Sequence, residues 1–150
     1  MLRLSKRPGA PAMAEGVVLD TSVFVAGLLS PRKSAGALVS AFFADQLRLA
    51  YTGPVLAEYA EILERPEFGK IITPGDRIGL ILKLRSSGIF VEPSEVPDAV
   101  WPDRDDLPFV AAALATKSKI LVTLNPRDFQ PAAAFGVHIL SPSQAKLRLL

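Results

Sequence analysis

The sequence predicts one α/β domain built on a mainly parallel sheet, and three observations carry that expectation. At 150 residues the chain has the length of a single domain. Short aliphatic, β-branched runs alternate with segments whose apolar positions recur at helical spacing, the order of a parallel α/β fold. Those runs are apolar at successive positions, as strands covered on both faces are.

The elements follow in order. Residues 17–20 (VVLD) read as a buried strand ending on a carboxylate. Thr21 or Ser22 can cap the helix that follows over VFVAGLL, because short hydroxyl side chains accept from the free amides of a first turn. A second helix is expected over 34–44 and a short strand over 48–51. Pro54 opens a third helix to about residue 65, where Pro66 stops it, since the residue before a proline is pushed out of the helical region. A fourth helix is expected over 74–85, with Ile78, Ile81, Leu82 and Arg85 on one face, then a brief strand over 89–91. Residues 92–106, with Pro93, Pro97 and Pro102, form a loop. A helix over 107–116, a strand over 120–122, a turn at Asn125-Pro126 and a last strand over 137–140 complete the body, with a closing helix from Pro142.

Composition narrows the chemistry. Apolar residues make up 49% of the chain and charged ones 21%, enough for a buried core and too apolar for global disorder. There is no Cys, which excludes disulfides, thiolate metal sites and cysteine nucleophiles. One His, at 138, cannot build a His-rich metal site, and it is expected to be structural or at the surface. Any metal must therefore be held mainly by oxygen. No stretch approaches 18 apolar residues, so no membrane span is expected.

Lys and Arg outnumber Asp and Glu by 17 to 15. The excess lies in residues 1–16, where Arg3, Lys6 and Arg7 face only Glu15. That segment lacks the apolar stretch of a secretory signal. It reads as a flexible tail before a single domain over 17–150, with Met13 as an alternative start and a cytoplasmic location expected. The remaining chain is neutral but uneven: Glu92, Glu95, Asp98, Asp103, Asp105 and Asp106 crowd residues 92–106 against Arg104 alone.

Ligands of open parallel sheets gather beyond the carboxyl ends of the strands, where Asp20, Thr123 and Asn125 stand. An unpaired carboxylate partly buried at a strand end is costly, so Asp20 needs a helix N-terminus, a basic group or a cation. In the third helix Val55, Leu56, Tyr59, Ile62 and Leu63 form an apolar arc. Glu58 borders it and can reach inward, whereas Glu61 and Glu64 lie on the solvated side. Asp106 precedes a helix, so it either caps it or turns toward the strand ends. Asp103 and Asp105 are equally open to a solvated turn role. Three or four carboxylates in one cleft would repel by several kcal/mol unless a divalent cation neutralised them. A donor set of oxygens suits Mg²⁺ or Mn²⁺ rather than zinc, and such a site performs metal-dependent phosphoryl chemistry.

Four segments, VVLDTSVFVAGLL at 17–29, GPVLAEYAEILERPEF at 53–68, DRDDLPFVAAALA at 103–115 and ILVTLNPRDF at 120–129, resemble in order and spacing the motifs of PIN-domain proteins. The branch they resemble most is that of VapC-like toxin components of toxin–antitoxin pairs. The resemblance implies a three-layer α/β/α sandwich, a Mg²⁺- or Mn²⁺-dependent ribonuclease, a homodimer, and a small antitoxin that holds the toxin inactive. By position it makes Asp20, Glu58 and Asp106 the catalytic, metal-holding acids. Thr123 matches the hydroxyl residue beyond the fourth strand, Asp103 a further acidic position, and Thr21 and Ser22 flank the first acid. Many PIN nucleases carry Asp where this chain has Asn125. Asn accepts through its carbonyl oxygen or holds a water but brings no charge, so one ion is expected to be held well and a second to arrive with the RNA phosphate. Asp128 either compensates or is a surface turn residue near Arg127. Arg32, Lys33 and Arg127 are the candidate guides for the RNA backbone.

Rival readings differ in class. A PIN-like scaffold that binds RNA or protein without cutting is favoured by Asn125. A phosphatase with Asp20 as nucleophile wants a carboxylate two residues on, where Ser22 stands, and a phospho-receiver lacks the acidic neighbour and lysine it needs. Trp101 is expected to pack the acidic loop down, and Phe42 and Phe43 to serve the core or a dimer contact.

Overall fold

Alternating apolar runs and helical segments give, in chain order, β1 (Val18–Leu19), α1 (Thr21–Leu29), α2 (Ser34–Phe43), β2 (Ala50–Tyr51), α3 (Gly53–Leu63), α4 (Pro74–Ser87), β3 (Ile89–Phe90), α5 (Leu107–Ala115), β4 (Ile120–Val122), α6 (Gln130–Ala133), β5 (His138–Leu140) and α7 (Pro142–Leu149). The structure, a computed structural model, describes residues 16–150. The expected tail with Met13 lies outside the described residues except for Gly16. That residue is buried at φ +82°, its carbonyl accepts from Ser118 Oγ at 2.6 Å, and a Cβ there would press on Ala50 and Ile89.

All strand pairings are parallel. β1 pairs with β4, β4 with β5, and β2 with β3. A bridge between Val17 and Leu49 joins the two sets, with Val17 N–H donating to Arg48 O and Ala50 N–H to Val17 O. The order across the molecule is β3-β2-β1-β4-β5, so the chain leaves β1 to one side and returns to its other side with β4. The crevice of such a sheet opens where the order reverses, between the tips of β1 and β4.

Val18, Leu19, Leu121 and Val122 are wholly buried. Successive side chains of a strand point to opposite faces, so both faces of the sheet are covered and the molecule is the expected α/β/α sandwich. Helix α5, with Phe109 to Ala113 buried, lies over β1, β2 and β4, while α1 packs on α2 and α2 on α7. At the start of α2, a Cβ on Gly36 would meet Pro31 O at 2.2 Å, so only glycine lets the α1–α2 turn pass that close.

Helix starts follow side-chain chemistry. Thr52 Oγ1 accepts from Val55 N at 3.2 Å ahead of Pro54, and Thr73–Asp76 and Ser141–Gln144 form capping boxes, which satisfy two free amides each. Several boundaries differ from expectation. Helix α3 ends at Leu63, because Arg65, held extended at ψ 137° before Pro66, opens a 3₁₀ turn at Pro66–Phe68. Residues after Asn125 form a 3₁₀ turn, Pro126–Phe129, that runs into α6. Helix α4 buries Leu80 and Leu84 and leaves Ile78 and Leu82 exposed. Trp101 Nε1 donates to Pro97 O at 3.4 Å and its ring lies 6.3 Å from Phe135, which holds the acidic loop down. Phe42 is core and Phe43 is partly exposed, as is His138. Among the described residues no helix is long and apolar enough to cross a membrane.

Candidate active site

Asp20 closes β1 and is the N-cap residue of α1, yet its side chain makes no capping bond. The expected helix-capping role of Thr21 or Ser22 is not what the structure shows. Thr21 is already the first helical residue, and its buried Oγ1 is the one such atom among the described residues with no hydrogen-bond partner. Ser22 Oγ donates to Asp20 Oδ2 at 2.9 Å, and Thr123 Oγ1 donates to the same oxygen at 2.7 Å. Both hydroxyls are in turn pinned by the loop after β4: Leu124 N–H donates to Ser22 Oγ at 3.4 Å and Asn125 N–H to Thr123 Oγ1 at 3.0 Å. Asp20 is 8% exposed. Its carboxylate is held through Oδ2, and among the described residues Oδ1 accepts no hydrogen bond.

Glu58 is half-buried on α3, while Glu61 and Glu64 are exposed, as the apolar arc of Val55, Tyr59 and Leu63 requires. Burial, followed by the charge of Glu61, raises its pKa; Asp105 and Asp20 add to the rise and Arg65 opposes it. Glu58 lines one cleft with Thr21 and Ser22, the two residues that follow Asp20. Glu64 instead makes a long ion pair with Arg77 at 4.0 Å.

The acidic loop ends in a 3₁₀ turn, Arg104–Asp106, that leads straight into α5. Asp103 Oδ1 accepts from Asp105 N at 2.9 Å, so Asp103 does the local turn-forming. Asp106 makes no capping bond and its carboxyl stays free. Burial, then the charges of Asp20, Asp103, Asp128 and Asp105, push it up to about 7. Burial alone raises a carboxyl, and the like charges around Asp106 raise it further.

These directions connect the expected residues. Asp20 acts on both Glu58 and Asp106, Asp103 and Asp128 act on Asp106, and Asp105, whose role the sequence left open, acts on both Glu58 and Asp106. Arg65 is the second residue missed; it lies past the end of α3, in the extended residue before Pro66, so no helical spacing pointed to it. Asn125 is exposed, and its side chain makes no capping bond. Arg32, Lys33 and Arg127 are all exposed; Lys33 lines a cleft with Ser30, Leu124 and Ser143. A second, largely apolar cleft of about 460 Å³ runs beside the acids, walled by Thr21, Ser22, Glu58, Ile62, Phe68 and Leu124.

Every candidate donor is a side-chain oxygen, a set that fits a hard divalent cation. Among the described residues no group of three or more His, Asp or Glu side chains is arranged to ligate one ion directly. Mg²⁺ keeps several of its waters and is commonly held by one or two carboxylates, so the residues present suit an ion bound partly through water.

The family model of the PIN domain matches residues 16–127. The match runs from β1 to the turn after β4 and takes in every acid of the cluster except Asp128. No curated protein matches the chain.

Proposed function

The chain belongs to the PIN-domain family, whose members are in general nucleases, and from that premise we propose that it is a Mg²⁺- or Mn²⁺-dependent endoribonuclease acting as the toxin of a toxin–antitoxin pair. In this reading it works in the cytoplasm as a homodimer and is silenced by a small antitoxin. The observation that carries the catalytic part is Asp20. It is a buried carboxylate fixed through one oxygen by Thr123 and Ser22, at the point where the sheet order reverses, and it raises the pKa of both Glu58 and Asp106.

A bound ion would supply positive charge at the scissile phosphate and acidify the attacking water. The chain's own residues do the rest. Asp20, Glu58 and Asp106 would hold the ion, partly through water, with Asp20 Oδ2 kept tied to the two hydroxyls. Asp106, pushed up to about 7, would ionise more readily once positive charge neutralised its acidic neighbours. Glu58, on α3 with a raised pKa, would be the group suited to take up a proton. Asn125, at the edge of the cluster, orients a water without adding charge. Arg65, whose charge acts on Glu58, would steady the RNA backbone together with Arg127.

A second reading, a PIN-like scaffold that binds RNA or protein without cutting, is favoured by Asn125. One experiment separates the two. Purified protein is incubated with end-labelled RNA and Mn²⁺, beside Asp20→Asn and Glu58→Gln. Cleavage by the wild type that is lost in both variants and in chelator supports the nuclease. RNA left whole by the wild type supports the scaffold. Cleavage unchanged in the variants removes the assignment of these acids.

A further inference from the structure

Tyr59 follows Glu58 directly on α3 but points into the core, where it is 1% exposed. Its hydroxyl donates to the carbonyl of Leu19, the residue before Asp20. That carbonyl and the Asp20 N–H belong to one peptide unit, and the N–H donates to Val122 O at 2.9 Å. The peptide plane leading into Asp20 is therefore gripped from both sides, by α3 and by β4. The Tyr59 ring stands edge to face with Phe24 of α1 at 4.7 Å and lies 6.1 Å from Phe109, three residues after Asp106. From α3, which carries Glu58, one side chain thus meets β1, which Asp20 follows, and α5, which Asp106 precedes. Packing alone would be served by phenylalanine; a buried phenol is retained where its hydroxyl has a partner.

From this geometry we infer that Tyr59 is a positioning residue whose hydroxyl sets the placement of Asp20 relative to Glu58, and through it divalent-cation affinity and the rate of RNA cleavage. The part concerning cation and RNA rests on the nuclease reading; the grip on the Asp20 peptide does not. The test compares wild type, Tyr59→Phe and Leu84→Val, the last a core change on α4. Mn²⁺ binding is measured by calorimetry, and kcat and KM on RNA are measured separately. Tyr59→Phe should weaken Mn²⁺ binding and lower kcat by about ten- to a hundredfold, the range for residues that orient metal ligands, with KM for RNA unchanged. Leu84→Val should keep both whatever it loses in stability. Wild-type Mn²⁺ affinity and kcat in Tyr59→Phe would overturn the inference, as would equal losses in Leu84→Val. If the wild type neither binds Mn²⁺ nor cuts RNA, the nuclease reading fails, and amide hydrogen exchange decides the positioning. Faster exchange at the Asp20 amide of Tyr59→Phe, with the Val91 amide unchanged, supports it; unchanged exchange at both overturns it.

Discussion

Thr123 Oγ1 donates to Asp20 Oδ2 at 2.7 Å, joining the tips of β1 and β4 across 103 residues of sequence. Thr123 is wholly buried, and its oxygen also accepts the Asn125 amide. One hydroxyl therefore aims the carboxylate and shapes the turn beyond it.

Thr123→Val keeps the shape and deletes both bonds. It leaves a buried carboxylate oxygen and an amide short of a partner, and bonds to charged groups contribute about 1.5–3 kcal/mol. The denaturant midpoint should fall accordingly, and cleavage with it, while Thr123→Ser restores both. A Val variant as stable and active as the wild type would show that Ser22 alone suffices.

Asp106 gives a pH dependence with a definite sign. Its carboxyl ionises at about 7 in the fold against an ordinary value of 3.8. Between those values the folded protein holds a proton that the unfolded chain has released. Metal-free stability should therefore fall as pH rises through that window and level off above it. Glu58, also raised, acts in the same direction. Asp106→Asn should flatten the slope, raise the melting temperature at pH 8 relative to wild type, leave it nearly equal at pH 4, and abolish cleavage. Thermal melts across pH in chelator check this, and a wild-type slope of the opposite sign would refute it.

Mn²⁺ or Mg²⁺ should reverse that behaviour. An ion that binds only the fold stabilises by RT ln(1 + [L]/Kd), about 2.7 kcal/mol at a hundred times Kd, and binding competes with the proton on Asp106. The gain in melting temperature should accordingly be larger at pH 8 than at pH 5. Chelator should remove it, and Asp20→Asn should blunt it at both pH values. A gain independent of pH would place the ion away from Asp106.

Much of the fold could be read locally because burial on both faces demands unbroken apolar runs, as at 17–19 and 120–122. Glu58 was separable from Glu61 and Glu64 because helical periodicity fixes which carboxylate borders the buried arc. What could not be read depends on contacts distant in sequence or on fine chain geometry. A tyrosine in an apolar arc looks like any core ring until the carbonyl of Leu19, 40 residues away, is brought against it. The 3₁₀ turn at 104–106 assigns the local bond to Asp103 and frees Asp106, a choice between neighbouring aspartates that no spacing encodes. Asp20 gave up the capping role because the hydroxyls of Ser22 and Thr123 compete for its oxygen, and Thr123 arrives only through the strand order.

Asn125 tests how far the cluster extends. Its side chain is exposed and makes no capping bond, while its amide is tied to the hydroxyl that holds Asp20. Asn125→Asp is nearly isosteric and changes only charge. Without a cation the added carboxylate repels its neighbours, so the melting temperature at pH 8 should drop. With Mn²⁺ the same charge attracts the ion, and binding should tighten about tenfold, the equivalent of roughly 1.4 kcal/mol. Cleavage at limiting Mn²⁺ should rise in step, whereas Asn125→Ala should shift neither metal-free stability nor affinity by a comparable amount. Opposite signs in the two conditions are the signature of a charge that faces the ion. An Asp variant unchanged in both would place residue 125 outside the site, and the missing charge would then be supplied by Asp128, whose own replacement by Asn should show the loss.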